Sequence, residues 1–348
     1  MTAADHTLDT NTRRCLVTGG AGFIGSHLVD HLVSAGHSVV VVDDLSTGRL
    51  SNLDPARSSI RFIEAPLHEA LADPIAGDRF DEIYHLAAAV GVRRVVEFPI
   101  DSIESNVAET AALLRYALSH ARAHDRPARV LFASSSEVYG KSTHSPFAET
   151  DDCLYGPTTA RRWSYAASKA LGEHLALAHH ERHALPVVIA RLFNTVGPRQ
   201  VGDYGMVLPR FIGAALEGVP IKVHGDGAQT RCFCDVRDVV PALPRLIAPP
   251  ACTGKVFNLG SDQPISIMAL ARLVNQTLGS DAGIRTVPYD EAFGPGFEDL
   301  LQRKPDLTRI RRAIGFDRRI PLSRTILDVA DEMRTKAASS AECNTNRS

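Results

Sequence analysis

The first half of the chain alternates short β-branched runs with longer amphipathic stretches. Arg14–Val17, Ser38–Val42, Ile60–Glu64, Glu82–Leu86, Val130–Ala133 and Val187–Leu192 read as strands. Ser38–Val42 is continuously apolar, the pattern of a strand buried on both faces. Between these runs, apolar residues recur at helical spacing over Ile24–Ala35, stopped by Gly36, and over Asp101–His124 and Tyr165–His183. This βαβα rhythm predicts an α/β fold of the Rossmann type, a doubly wound parallel sheet with helices on both faces.

After Gly197 the rhythm changes. Prolines and glycines become frequent, and strands are predicted only at Ile221–His224 and Lys255–Leu259. Helical patterns cover Val207–Leu216, Ser266–Leu278 and Leu322–Glu332. The division expected is a sheet domain over residues 14–197 and a smaller C-terminal α/β region over 198–335, with segments free to cross between them. The polar ends, 1–13 and 336–348, are expected to be disordered.

Composition narrows the class of protein. The chain has 348 residues, 44% hydrophobic and 22% charged, with a formal net charge of −2. That balance gives no electrostatic footprint for nucleic acid or an anionic membrane. No apolar run reaches the roughly 18 residues of a membrane span, and the N-terminus lacks a signal-peptide core. Six cysteines lack zinc spacing and the density of a secreted scaffold, so reduced thiols in the cytoplasm, and no metal site, are expected.

The first chemical signal is the turn Gly19-Gly20-Ala21-Gly22-Phe23-Ile24-Gly25 between the first strand and first helix. A strand-to-helix turn of this kind needs glycines to bend sharply, to let backbone approach a pyrophosphate and to pack the helix closely. The free amides of the helix start, around Gly22, Phe23 and Ile24, then face the anion. Asp43 ends the next strand, about 20 residues on, where a carboxylate bonds adenosine ribose hydroxyls and repels a 2′-phosphate. NAD rather than NADP follows. The plainer reading of Asp43 is a turn or cap residue.

The second signal is Tyr165-Ala166-Ala167-Ser168-Lys169. Residues i and i+4 share a helix face, so Lys169 can lower the pKa of the Tyr165 phenol and hold the nicotinamide ribose. Tyr165 is then a candidate general base at a sugar hydroxyl. Upstream, Ser134-Ser135-Ser136-Glu137 leaves a buried strand at the end where open α/β sheets bind ligands. Read alone, that segment is a hydroxyl-rich turn with a capping glutamate.

Together, Gly19–Gly25, Asp43, Ser135 and the Tyr165/Lys169 pair resemble the extended short-chain dehydrogenase/reductase family, over about Arg13–Glu332. Members epimerise, dehydrate or decarboxylate sugars on nucleoside diphosphates. The resemblance implies that Leu86, Ala87 and Ala88, after His85, line the cofactor. It implies that Ser135 bonds the sugar 4-hydroxyl, and that Asn194, Arg231 and Arg303 bind the diphosphate. Arg199 falls in the matching loop Asn194–Arg199, and Ser136, Val207 and His224 in segments that face the nucleotide sugar. It also implies a homodimer through the helices at Asp101–His124 and Tyr165–His183. One departure stands out: Pro66 occupies the place where similar enzymes carry an Asp that contacts the adenine amino group.

Glu137 bears on the reaction. The form Ser136-Glu137-Val138-Tyr139-Gly140 resembles UDP-glucuronate decarboxylases and GDP-mannose 4,6-dehydratases, and Phe193-Asn194-Thr195 and Gln229–Phe233 are more similar to the decarboxylases. The resemblance implies oxidation at C4 of UDP-glucuronate, loss of carbon dioxide from the β-keto acid and re-reduction, giving UDP-xylose or the released UDP-4-keto-pentose. A 4,6-dehydratase and a 4-epimerase remain as alternatives, with uridine and thymidine nucleotides both open. A non-catalytic NAD-binding sensor is the reading outside the class.

Overall fold

The structure is a computed structural model that describes residues 12–88, 98–123, 126–202, 206–293 and 300–345. Residues 1–11 of the expected N-terminal tail, and His124, lie outside these. Among the described residues, seven strands form one parallel sheet in the order β11-β6-β5-β4-β1-β2-β3. They are β1 (Arg14–Thr18), β2 (Ser38–Asp43), β3 (Ile60–Glu64), β4 (Glu82–His85), β5 (Arg129–Ser135), β6 (Val187–Leu192) and β11 (Lys255–Leu259). The centre is apolar on both faces, as the uninterrupted valines of β2 require: Val39, Val40, Val41 and Val42 are all buried.

One face is covered by α1 (Phe23–Ser34), whose Leu28, Val29 and Leu32 pack under Val39 and Val41. The other is covered by α2 (Leu67–Ala72), α3 (Pro99–Ala123) and α4 (Trp163–His183). The longer helices begin within a few residues of the predicted starts.

The C-terminal region is interleaved with the sheet domain. From β6 the chain runs through β7 (Thr195–Val196), α5 (Val207–Glu217), β8 (Ile221–His224), β9 (Thr230–Cys232) and β10 (Cys234–Asp235). It then passes α6 (Val236–Val239) and α7 (Ala242–Ile247), and returns as β11 beside β6. Lys255–Leu259 is therefore a segment of the 198–335 range that crosses into the main sheet. Next come β12 (Pro264–Ser266), α8 (Ile267–Leu278), β13 (Ile284–Val287), α9 (Tyr289–Phe293), α10 (Thr308–Ile314) and α11 (Leu322–Thr345). A separate core of Leu208, Phe211, Ile212, Leu270, Val274, Ile326 and Val329 ties α5, α8 and α11 together.

The last helix departs from expectation. Its polar end, predicted to be disordered from residue 336, continues as helix to Thr345. Alanine-rich sequence has high helix propensity, and the preceding turns are anchored by buried Ile326, Val329 and Ala330.

Candidate functional site

The C-terminal ends of the strands open into one cavity of about 560 Å³. Its centre is the glycine turn. Gly19 has φ +70°, and a Cβ there would lie 2.7 Å from the Ala87 backbone nitrogen. A Cβ on Gly25 would lie 2.1 Å from the Gly19 carbonyl oxygen. Both positions exclude any side chain, and so bring backbone amides to the cavity surface. Gly22 caps α1 without a side-chain hydrogen bond, and no acidic residue occupies the first turn. The positive end of the helix is left to the cavity, which Gly22, Phe23 and Ile24 line.

Asp43 stands beside this turn, at the end of β2. It accepts hydrogen bonds from the Ala21 amide (2.9 Å) and the Leu45 amide (2.9 Å). Burial raises its pKa, and those amides oppose the rise. Leu86, Ala87 and Ala88 close the floor after β4. His85, before them, bridges Thr18 on β1 and Thr110 on α3. Burial and the Lys169 charge lower its pKa to about 3, so it is a neutral strut.

At the other end, Ser134–Glu137 and α4 converge. Lys169 is buried, with Nζ donating to the Ala133 carbonyl at 2.9 Å. Burial lowers its pKa to about 8, opposed by Glu173. Tyr165 shares the cavity wall with Ser135. Burial and the Glu137 carboxylate push its phenol pKa up, and the opposing group is Ser135. Lys169 Nζ, with one bond to the Ala133 carbonyl, keeps further donors for a ligand.

Glu137 is held by arginines. Its Oε1 accepts from Arg303 Nη1 at 2.7 Å, and its Oε2 lies 3.7 Å from Arg162 Nη2. Burial alone would raise its pKa, but Arg303, Arg162 and Arg231 outweigh it and bring the value to about 2. Three guanidiniums thus act on this one carboxylate. Arg303 Nε is buried with no partner among the described residues, and so is Asn194 Nδ2. Both residues line the cavity, as does Ser136. Orphaned donors of this kind at a cavity wall mark a place for an anion or a carbonyl.

Four residues expected at the substrate do not line the cavity. Arg199 (φ +66°) turns away, its guanidinium bonded to Asp30 on α1 at 2.6 Å and its amide to Glu332 on α11 at 2.6 Å. Val207 packs on the smaller core, while its neighbour Met206 takes the cavity position. His224 meets the Arg210 guanidinium at 3.2 Å. Arg231 is buried and donates to the Thr230 and Leu300 carbonyls; only its charge acts on Glu137.

The sequence reading missed Arg162, which lines the cavity just before α4. Its only local signal is its position, three residues ahead of Tyr165 at a helix start. It also missed the buried pair beneath the site, in which Arg191 Nη2 donates to Glu173 Oε2 at 2.7 Å and Ser134 joins the same carboxylate. Among the described residues, no cluster suited to a metal ion is present.

The glycine cradle, the uncapped start of α1 and Asp43 fit a dinucleotide, and Tyr165 and Lys169 line the same cavity. Comparison with known proteins gives the same class. Residues 15–260 match the NAD-dependent epimerase/dehydratase family. The UDP-N-acetyl-α-D-glucosaminuronate decarboxylase of Bacillus cytotoxicus is 41% identical over 87% of this chain and 92% of its own length. UDP-glucuronic acid decarboxylase 2 of Arabidopsis thaliana is 37% identical over 89% of this chain and 65% of its own. Among solved structures, the dTDP-glucose 4,6-dehydratase of Streptomyces venezuelae, with NAD bound, superposes with a TM-score of 0.81 at 28% identity, over 92% of this chain and 97% of that one. The UDP-glucose 4-epimerase of Thermotoga maritima does so with 0.83 at 26% identity, over 93% and 99%.

Proposed function

The chain belongs to the NAD-dependent epimerase/dehydratase family, and from that premise we propose that it decarboxylates a UDP-linked hexuronate, with UDP-glucuronate as the first substrate to test. The observation that carries this reading is Arg303, whose buried Nε has no partner among the described residues, on the cavity wall with Glu137, Tyr165 and Ser135. A C6 carboxylate on the sugar would give that guanidinium a charge-assisted partner. The decarboxylase names of the relatives support the same reaction and the uridine nucleotide.

When bound, NAD supplies reversible two-electron oxidation at C4 of the sugar. Tyr165, in its ionised form, takes the C4 hydroxyl proton, and Ser135, on the same cavity wall, orients that hydroxyl. Arg162 and Arg303 draw in the C6 carboxylate, and Glu137 keeps both guanidiniums aimed at it. Tyr165 and Ser135 then hydrogen-bond the C4 oxygen as it takes up the electron pair of the breaking C5–C6 bond, carbon dioxide leaves, and the enolate takes a solvent proton at C5. With a pKa held near 2, Glu137 carries no proton at neutral pH, so it orders the arginines rather than acting as an acid. Lys169 fixes the nicotinamide ribose, and Asn194, with its unpartnered amide nitrogen, takes a diphosphate oxygen.

A second acid is favoured by the Bacillus relative, whose substrate carries an N-acetyl group at C2 of the same uronate. Purified protein with NAD is to be given UDP-glucuronate, UDP-N-acetylglucosaminuronate, UDP-glucose and TDP-glucose in parallel. Carbon dioxide release, and the mass of the nucleotide product, are measured. One of the two acids is expected to yield carbon dioxide and a UDP-pentose or its 4-keto form. Inert acids beside an epimerised or dehydrated neutral hexose would defeat the reading.

The reading includes a homodimer and a cytoplasmic setting. The packed helices α3 and α4 expose Ile100, Ile103 and Leu171, an apolar surface that a second copy would cover. Sedimentation of the protein as a monomer at micromolar concentration would remove that part. Among the described residues no helix is long and apolar enough to cross a membrane.

A further inference from the structure

We propose that Glu109 recognises the adenine of the dinucleotide, accepting a hydrogen bond from its exocyclic amino group. The inference rests on reading the cleft as the NAD site and concerns its far end. The glycine turn holds the pyrophosphate at β1, and Tyr165 and Lys169 fix the reactive end over β5. The sheet order β4-β1-β2-β3 then carries the adenosine half past β2 towards β3. Asp43 lies on that route and suits the ribose hydroxyls.

The next surface is known in detail. Asp43 is in register with Glu64, and the Ala65 amide donates to the Asp43 carbonyl at 3.3 Å. The base therefore lies against Ala65-Pro66-Leu67, of which Ala65 and Leu67 line the cavity. None of these three has a polar side chain, so this surface can hold the flat of a purine but offers its amino group no side-chain acceptor.

The facing wall offers one. Ser105 and Glu109 of α3 line the same cavity. Glu109 Oε1 is 2.8 Å from Nδ1 of His68, the residue that follows Leu67, so the carboxylate stands at this end of the cleft. Its other oxygen, Oε2, is buried with no partner among the described residues. A buried carboxylate oxygen without a donor is costly and calls for one. The pyrophosphate cannot supply it, because like charges repel. The amino group of adenine can. His68 braces the carboxylate, and its own pKa is raised by that contact.

The test compares NAD with nicotinamide hypoxanthine dinucleotide, in which an oxo group replaces the amino group. Binding of each to nucleotide-free protein is measured by titration calorimetry. Wild type is expected to bind NAD about tenfold or more tightly than the analogue, the size of a hydrogen bond to a charged acceptor. Glu109→Ala should weaken NAD about tenfold and leave the analogue within about twofold. Glu109→Gln, whose amide can donate to the oxo group, should bring the two within about twofold of each other. Equal losses for both dinucleotides, or an unchanged preference in both variants, would overturn the assignment. The outcome does not depend on which sugar is processed: if no uronate is decarboxylated, the ratio of dinucleotide affinities still decides it.

Discussion

Glu82 and Glu137 are acidic side chains at opposite ends of the same sheet, each held by arginines. Glu82 opens β4 at the N-terminal edge and is fully buried. Its carboxylate accepts from Arg13 and Arg129, both at 2.8 Å, from the Tyr84 hydroxyl at 2.6 Å, and from the Cys15 thiol. Glu137 follows β5 at the C-terminal edge, and its arginines are not used up: Arg303 Nε has no partner among the described residues. One cluster is closed and the other keeps capacity for a ligand. A charged pair inside a protein therefore says little about function by itself. What separates these two is the donor left over and the cavity it faces.

That contrast can be broken at either end. The largest effect is expected at the open end, where Tyr165→Phe should lower kcat by about a thousandfold while NAD binding and thermal midpoint stay near wild type. Equal turnover in a kinetic assay would strip the phenol of its role. At the closed end, Glu82→Gln should cost about 3 kcal/mol of unfolding free energy, because two arginines lose their buried partner. Its kcat per folded molecule should not move. A denaturant titration alongside turnover tests both halves, and a fall in kcat would erase the distinction. Glu137→Gln should reverse that balance, lowering kcat by roughly 10–100-fold with a smaller loss of stability, on the order of 1 kcal/mol.

The smallest expected effect is a pH signature. The folded pKa of Glu137 is about 2, below its unfolded value. Its contribution to stability is therefore complete above the ordinary carboxylate range of about 4.3 and fades as pH falls towards 2. The stability gap between wild type and Glu137→Gln should be largest at neutral pH and shrink in acid. A gap that widened in acid would show that the arginines do not hold the ionised form.

Much of this fold could be read from the chain, because its signals are local. The valines of β2 need two covered faces, the glycine turn needs its sharp bend, and Tyr165 and Lys169 share a face by helix geometry alone. What escaped reading depends on distant partners. Arg199 lies in the loop expected to face the substrate, yet Asp30 and Glu332, far away in sequence, take its guanidinium and amide. Arg162 carries no motif, and only folding brings it beside Glu137. Lys255–Leu259 has an ordinary strand pattern, and nothing nearby says that its neighbour is β6. Glu109 sits mid-helix with no local sign of the cavity that it faces.

The return of the chain as β11 has a consequence for how such a protein can be altered. Cutting after residue 197 would not release a self-sufficient cofactor module, since the cut would strip β6 of the strand that protects its flank and leave a raw edge prone to aggregation. The main sheet and the C-terminal region are stitched by one thread passing twice. New properties would then have to arise by changing residues in place, not by exchanging one module for another.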